Sequence, residues 1–131
     1  MPQPPYSPFW PLGSVAVAVA GTPVQLLAAY QGGKYLSANS GGGKVRVTSI
    51  LFAVIGGLTV NTGFVYIGVK GLTKATGVGV IFAIPASAAG IVNWFTLPAL
   101  GWGGANEICP EDIWLDADTS GNSVIVTLTQ Y

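Results

Sequence analysis

Nineteen glycines and nine prolines divide this chain of 131 residues into short apolar runs. Proline fixes φ and lacks an amide donor, and glycine takes positive φ at little steric cost, so both interrupt regular structure. What survives between them alternates. Val15-Ala-Val-Ala-Val-Ala20 places Val15, Val17 and Val19 on one side, the period-two signature of a half-buried strand. Residues 22–30 read as a second strand after the Gly21-Thr-Pro23 break. Residues 44–54 read as a third, in which Val45, Val47, Ser49 and Leu51 alternate with Arg46, Thr48, Ile50 and Phe52. Further strands are expected at 64–69, 78–84, 91–97, 113–116 and 123–131. Loops are expected at 31–36 and 40–43, a polar turn at 70–77, and an Asx-rich turn at 117–122. No window longer than two turns has the 3.6-residue spacing of an amphipathic helix. Roughly seven to nine short strands with such punctuation predict an all-β fold, an antiparallel β-sandwich or jelly roll. The length fits one domain, assigned to 15–131. Residues 1–14 are assigned to an extended Pro-rich N-terminal arm, because five prolines in the first eleven positions keep that segment out of a central strand.

Charge is scarce. Five bases and five acids make up 8% of the chain, and there is no histidine; an average globular protein is about 25% charged. The composition excludes His-based triads and His-ligated metal centres. It also leaves no electrostatic footprint for nucleic acid, since all five bases are spread between Lys34 and Lys74. A domain with so few ionic side chains must expose apolar and small polar ones, and large exposed apolar patches mark interfaces. The expectation is a protein that works within an assembly. The acids Glu107, Glu111, Asp112, Asp116 and Asp118 are as clustered as the bases, which suits either pairing within one subunit or a head-to-tail contact between copies.

The low-charge stretch 77–104 is long enough to span a membrane, but Pro85, Pro98, Asn93 and repeated glycines interrupt it, and no Lys or Arg follows. Residues 12–20 imitate the apolar part of a secretory signal. The first basic residue is Lys34, though, and prolines precede the run, so no signal is expected. Cys109 is the only cysteine and lies among acids, which marks it as a structural thiol and not a nucleophile.

Asp116, Asp118 and Ser120, followed by Gly121, partly match a calcium-binding loop, in which alternate oxygens point inward around a glycine turn. The twelfth position is Thr127, which supplies no carboxylate, so a plain hydrogen-bonded turn accounts for the spacing and no metal or other cofactor is expected. Asp116 and Asp118 also have the separation of a glycosidase pair if both project from one face of an extended chain. Nothing else in the sequence supports catalysis. Residues 41–44 lack the ending of a phosphate-binding loop.

Three segments taken together carry a resemblance: Lys44-Val-Arg-Val-Thr-Ser-Ile-Leu-Phe52, Asn61-Thr-Gly-Phe-Val-Tyr-Ile-Gly68 with Thr73-Lys-Ala-Thr-Gly77, and Ile113-Trp-Leu-Asp-Ala-Asp-Thr-Ser-Gly-Asn-Ser-Val-Ile-Val126. In this order they resemble small virion proteins of tailed bacteriophages, a family that includes capsid decoration (cement) proteins alongside neck, tail and fibre-associated components. The resemblance covers about residues 44–128. It implies a β-sandwich or jelly roll, commonly a homotrimer, on the outer capsid surface, where it bridges capsomers through the major capsid protein without catalysis, nucleic acid or membrane. Pro4, Pro5, Tyr6, Phe9 and Trp10 are then expected to dock on a neighbouring subunit, with Trp94 and Trp102 as further interface residues. The alternatives are a neck, tail or fibre component and a carbohydrate-binding adhesin.

Overall fold

Eight strands build two antiparallel sheets in a computed structural model that describes residues 9–29, 47–57, 61–98 and 108–129. The strands are β1 (Phe9–Ala16), β2 (Val24–Gln25), β3 (Ser49–Ile55), β4 (Gly63–Thr73), β5 (Val78–Ala86), β6 (Val92–Pro98), β7 (Trp114–Ala117) and β8 (Ser123–Thr129). One sheet runs β1-β8-β3-β6 and the other β2-β7-β4-β5. Within them β1 pairs with β8, β2 with β7, β3 with β6 and β4 with β5, each time antiparallel. The further pairs β3·β8 and β4·β7 close each sheet.

The core forms where the inward faces meet. In β3 and β8 burial alternates without a break, with Ile50, Phe52 and Val54 on one strand and Val124, Val126 and Leu128 on the other. Val65 and Ile67 of β4 and Leu115 of β7 oppose them from the second sheet. Full burial of each such side chain contributes about 1.5–3 kcal/mol. Phe82 of β5 sets its ring edge-on to Phe52, with centroids 5.7 Å apart.

Several expectations are corrected. Residues 9–14, assigned to the arm, lie in β1, with the register Phe9↔Thr129 through Ala16↔Ser123. Pro11 is tolerated because β1 is an edge strand. The register shifts between Pro11 and Gly13, and Gly13 has φ 85°, the geometry of a glycine bulge. That extra residue resets the alternation so that both Leu12 and Val15 face inward. Residues 1–8 of the expected arm lie outside the described residues.

The strand expected over 15–20 ends at Ala16. Val17 is buried and still bonds to Asn122 (2.8 Å), whereas Val19 turns out to solvent. The strand expected over 22–30 shrinks to β2 and is followed by a helical turn, α1 (Leu26–Ala29). Leu and Ala are strong helix formers, and a strand would send Leu26 and Leu27 to opposite faces, whereas both are buried. Of the strand expected over 44–54, the described part holds an isolated bridge between Val47 and Ile108 and then β3 from Ser49; residues 44–46, like the loops expected at 31–36 and 40–43, lie outside the described residues. β4 continues through Lys70 and Gly71 to Thr73, held by the buried Leu72, so the turn expected over 70–77 is confined to residues 74–77. No helix among the described residues is long and apolar enough to cross a membrane.

Candidate functional site

The turn after β7 is fixed by side chains that bond to main chain far away in sequence. Asp116 is 1% exposed, and its Oδ1 accepts from the amides of Gly21 (2.8 Å) and Ala117 (2.7 Å). Asp118 Oδ2 accepts from the Phe64 amide at 2.9 Å, and Ser120 Oγ from the Ala20 amide at 2.9 Å. The three residues of the possible calcium loop thus bond amides in three separate segments, and among the described residues no group of three or more His, Cys, Asp or Glu could hold a metal ion. The glycosidase geometry is corrected as well. Asp116 is sealed beneath the 20–21 turn and Asp118 is exposed beyond the strand end, so no open face carries both.

The opposite side of this junction is the Asn61-Thr-Gly63 segment. The Asn61 side chain is buried; it accepts from the Ser123 amide (2.8 Å) and donates to the Ile55 carbonyl (3.1 Å). The Asn122 side chain, fully buried, donates to the Thr62 carbonyl (2.7 Å) and accepts from the Thr62 amide (3.3 Å). Gly63 has φ 69°, and a Cβ there would meet Asp118 Oδ2 at 2.8 Å. Two of the segments behind the resemblance are therefore halves of one clamp that locks the β4 start to the β8 start. Tyr66 donates from its hydroxyl to Asp118 Oδ1 at 3.0 Å. Burial first, then that bond and the charges of Asp118 and Asp116, raise the pKa of its phenol.

Among the described residues, charge is confined to the β2-β7-β4-β5 side. Lys74 Nζ sits 3.8 Å from Asp118 Oδ1 and donates to the Ala117 carbonyl at 2.6 Å, so this base and acid meet within one subunit. An open groove of about 590 Å³ is lined by Gln25, Val69, Lys70, Glu111, Asp112 and Trp114.

The β1-β8-β3-β6 sheet carries no charged residue at all. Its register puts Trp94, Ala53, Ile125 and Ser14 in one outward row, and Thr96, Leu51, Thr127 and Pro11 in the next. β6 is the outer strand of this sheet; Trp94 is 67% exposed, and Val92 and Phe95 are exposed beside it. Phe95 points between the sheets and stacks on Phe82 with centroids 4.1 Å apart. The rings of Phe52, Phe82 and Phe95 thus lead from the core to the open flank of the sandwich. There a shallow cavity of about 310 Å³ lies between Ala83, Ile84 and Pro85 of β5 and residues 92–95 of β6.

The four edge strands differ in protection. β1 carries Pro11 and a bulge, β5 carries Pro85 and faces register shifts in β4, and β2 has two residues. β6 pairs with β3 over seven consecutive residues without a shift, with its only proline at the end. It has no charge, bulge or internal proline of the kind that normally protects an edge.

Of the interface residues expected from sequence, Trp94 is placed on this exposed strand. Phe9 and Trp10 are placed by backbone alone at the start of β1, and Pro4, Pro5, Tyr6 and Trp102 lie outside the described residues. Sequence reasoning missed Val92 and Phe95, and it missed the Asn61–Asn122 clamp. No family model, curated protein or solved structure matches this chain.

Proposed function

We propose that this chain is a non-catalytic structural protein of a virion, a capsid decoration protein of the tailed-bacteriophage kind. It acts as a homotrimer on the outer capsid surface and bridges copies of the major capsid protein. The observation that carries this reading is the charge-free β1-β8-β3-β6 sheet, whose outer strand β6 carries no protecting charge, bulge or internal proline of its own. An exposed, uncharged face of this kind marks a surface at which proteins meet.

The fold reading within this proposal is a jelly roll. The pairs 1·8, 2·7, 3·6 and 4·5 are those of one long antiparallel hairpin folded over into two layers. Eight strands in two such sheets are the jelly-roll plan, used by capsid and lectin domains. Many copies on a shell would add avidity to contacts that are individually modest. The groove around Trp114 favours a second reading, a carbohydrate-binding module, because Gln25, Lys70 and Asp112 set polar groups around an aromatic ring.

The test is add-back to purified shells that lack the protein, followed by cryo-EM. Density on the outer surface at local threefold positions is the expected result. Absence of binding to any shell, or density only at the neck or tail, overturns the capsid assignment. A glycan array without hits removes the second reading.

A further inference from the structure

We propose that residues 1–8 of one copy dock as a polyproline II segment into the β5/β6 cavity of a neighbouring copy, across Trp94 and Phe95. Polyproline II has three residues per turn. Pro2, Pro5, Pro8 and Pro11 recur at every third position, so in that conformation their rings lie along one side. Pro-rich segments with this spacing bind aromatic-lined grooves, because the ligand is already ordered and gives up little entropy. The cavity has Pro85 on one wall and Val92, Trp94 and Phe95 on the other, with Trp94 two-thirds exposed and the Asn93 side chain joining the walls through a 2.7 Å bond to the Pro85 carbonyl.

Charge agrees on both sides. Residues 1–8 contain no charged side chain, and none occurs from Ala75 to Asn106, which includes both walls. An acidic or basic ligand would lose hydration there and gain no ionic partner.

The chain's first described residue and its own cavity lie apart on the sheet. Phe9 stands in a row with Thr129, Ser49 and Pro98, at one end of the sheet. β1 runs from that row towards the end where Val92 lies, so Phe9, the first described residue, stands on the edge strand opposite β6 and at the other end of the sheet from the cavity. Eight residues in polyproline II reach about 25 Å. The donor end and the acceptor cavity are different surfaces, which makes the contact heterologous, and heterologous contacts close into rings when the rotation allows. This inference rests on the part of the proposed function that sets copies side by side, and not on the shell.

The test uses three proteins in solution: the full chain, a variant lacking residues 2–8, and Trp94→Ala, which changes an exposed side chain on an edge strand. Sedimentation velocity should show the full chain associated and each variant alone monomeric. Mixing the two variants should restore a complex, since one supplies the cavity and the other the segment. A synthetic peptide of residues 1–8 should perturb the tryptophan fluorescence of the shortened variant saturably, and lose at least about tenfold in affinity when Pro5→Ala is introduced into the peptide. Pro4→Ala, off the proline row, should change it by less than about threefold. Failure of the peptide to bind overturns the docking. Peptide binding together with a monomeric full chain overturns the exchange between copies, and so does equal association of the full chain and the shortened variant. Shell binding is read separately, so either proposal can fail while the other stands.

Discussion

Replacing Asn122 by Ala isolates the clamp between the two sheet-end segments. The side chain is fully buried and makes two bonds to the Thr62 main chain, one short at 2.7 Å and one long at 3.3 Å. An intramolecular hydrogen bond contributes about 0.5–1.5 kcal/mol net. Assigning the short bond the upper end and the long bond the lower end gives a loss of about 2 kcal/mol. With an unfolding entropy of about 2.1 cal/mol/K per residue over this length, the melting temperature should fall by about 7 °C. Thermal unfolding by circular dichroism at matched protein concentration measures it, because any association also moves the midpoint. Thr119→Val is the control: its hydroxyl bonds the Thr62 hydroxyl at 2.9 Å on the exposed side, and its loss should cost less than about 0.5 kcal/mol. A shift below about 2 °C for Asn122→Ala, or equal shifts for both variants, refutes the assignment of the clamp as a main fastening of the fold.

Gly63→Ala should destabilise by at least about 1–2 kcal/mol, since it adds a Cβ at positive φ against the Asp118 carboxylate; urea unfolding with an unchanged m-value checks it. The Tyr66 phenol is held above its ordinary value of 10.0 by burial and by its bond to Asp118. The fold therefore favours the protonated form, and the unfolded chain releases that proton first. Its contribution to stability is intact below about pH 10 and disappears as pH rises through the folded pKa. Tyr66→Phe should flatten the alkaline arm of a stability–pH profile, and an unchanged arm counts against the bond. Adding calcium or a chelator should leave the melting temperature unchanged within about 1 °C, because Asp116, Asp118 and Ser120 are engaged by amides.

The long central strands were legible because burial on one face imprints period two. In β3 and β8 every second residue is apolar and inward, so the pattern carries the structure. The short elements were not. Leu26 and Leu27 look strand-like as an apolar pair, and only the need to bury both makes a helical turn. Lys70 and Gly71 look like a turn, yet β4 passes through them, its ladder to β5 resuming at Thr73↔Val78. The bulge at Gly13 is invisible in a proline-rich run until the partner strand is known. The interface was partly legible: Trp94 stood out as an aromatic, whereas the exposure of Val92 and Phe95 follows from β6 being an outer strand, a property of topology. Asn61 and Asn122 lie sixty-one positions apart, and no local pattern joins them.

Sedimentation equilibrium of the full chain over a wide concentration range asks directly whether the charge-free sheet meets other molecules. Association into a species of three times the 13.4 kDa chain mass, lost on introducing Trp94→Lys into the uncharged strand, is the expected result. A single 13.4 kDa species at every concentration, unaffected by that substitution, would show that the sheet is covered by nothing and needs no cover.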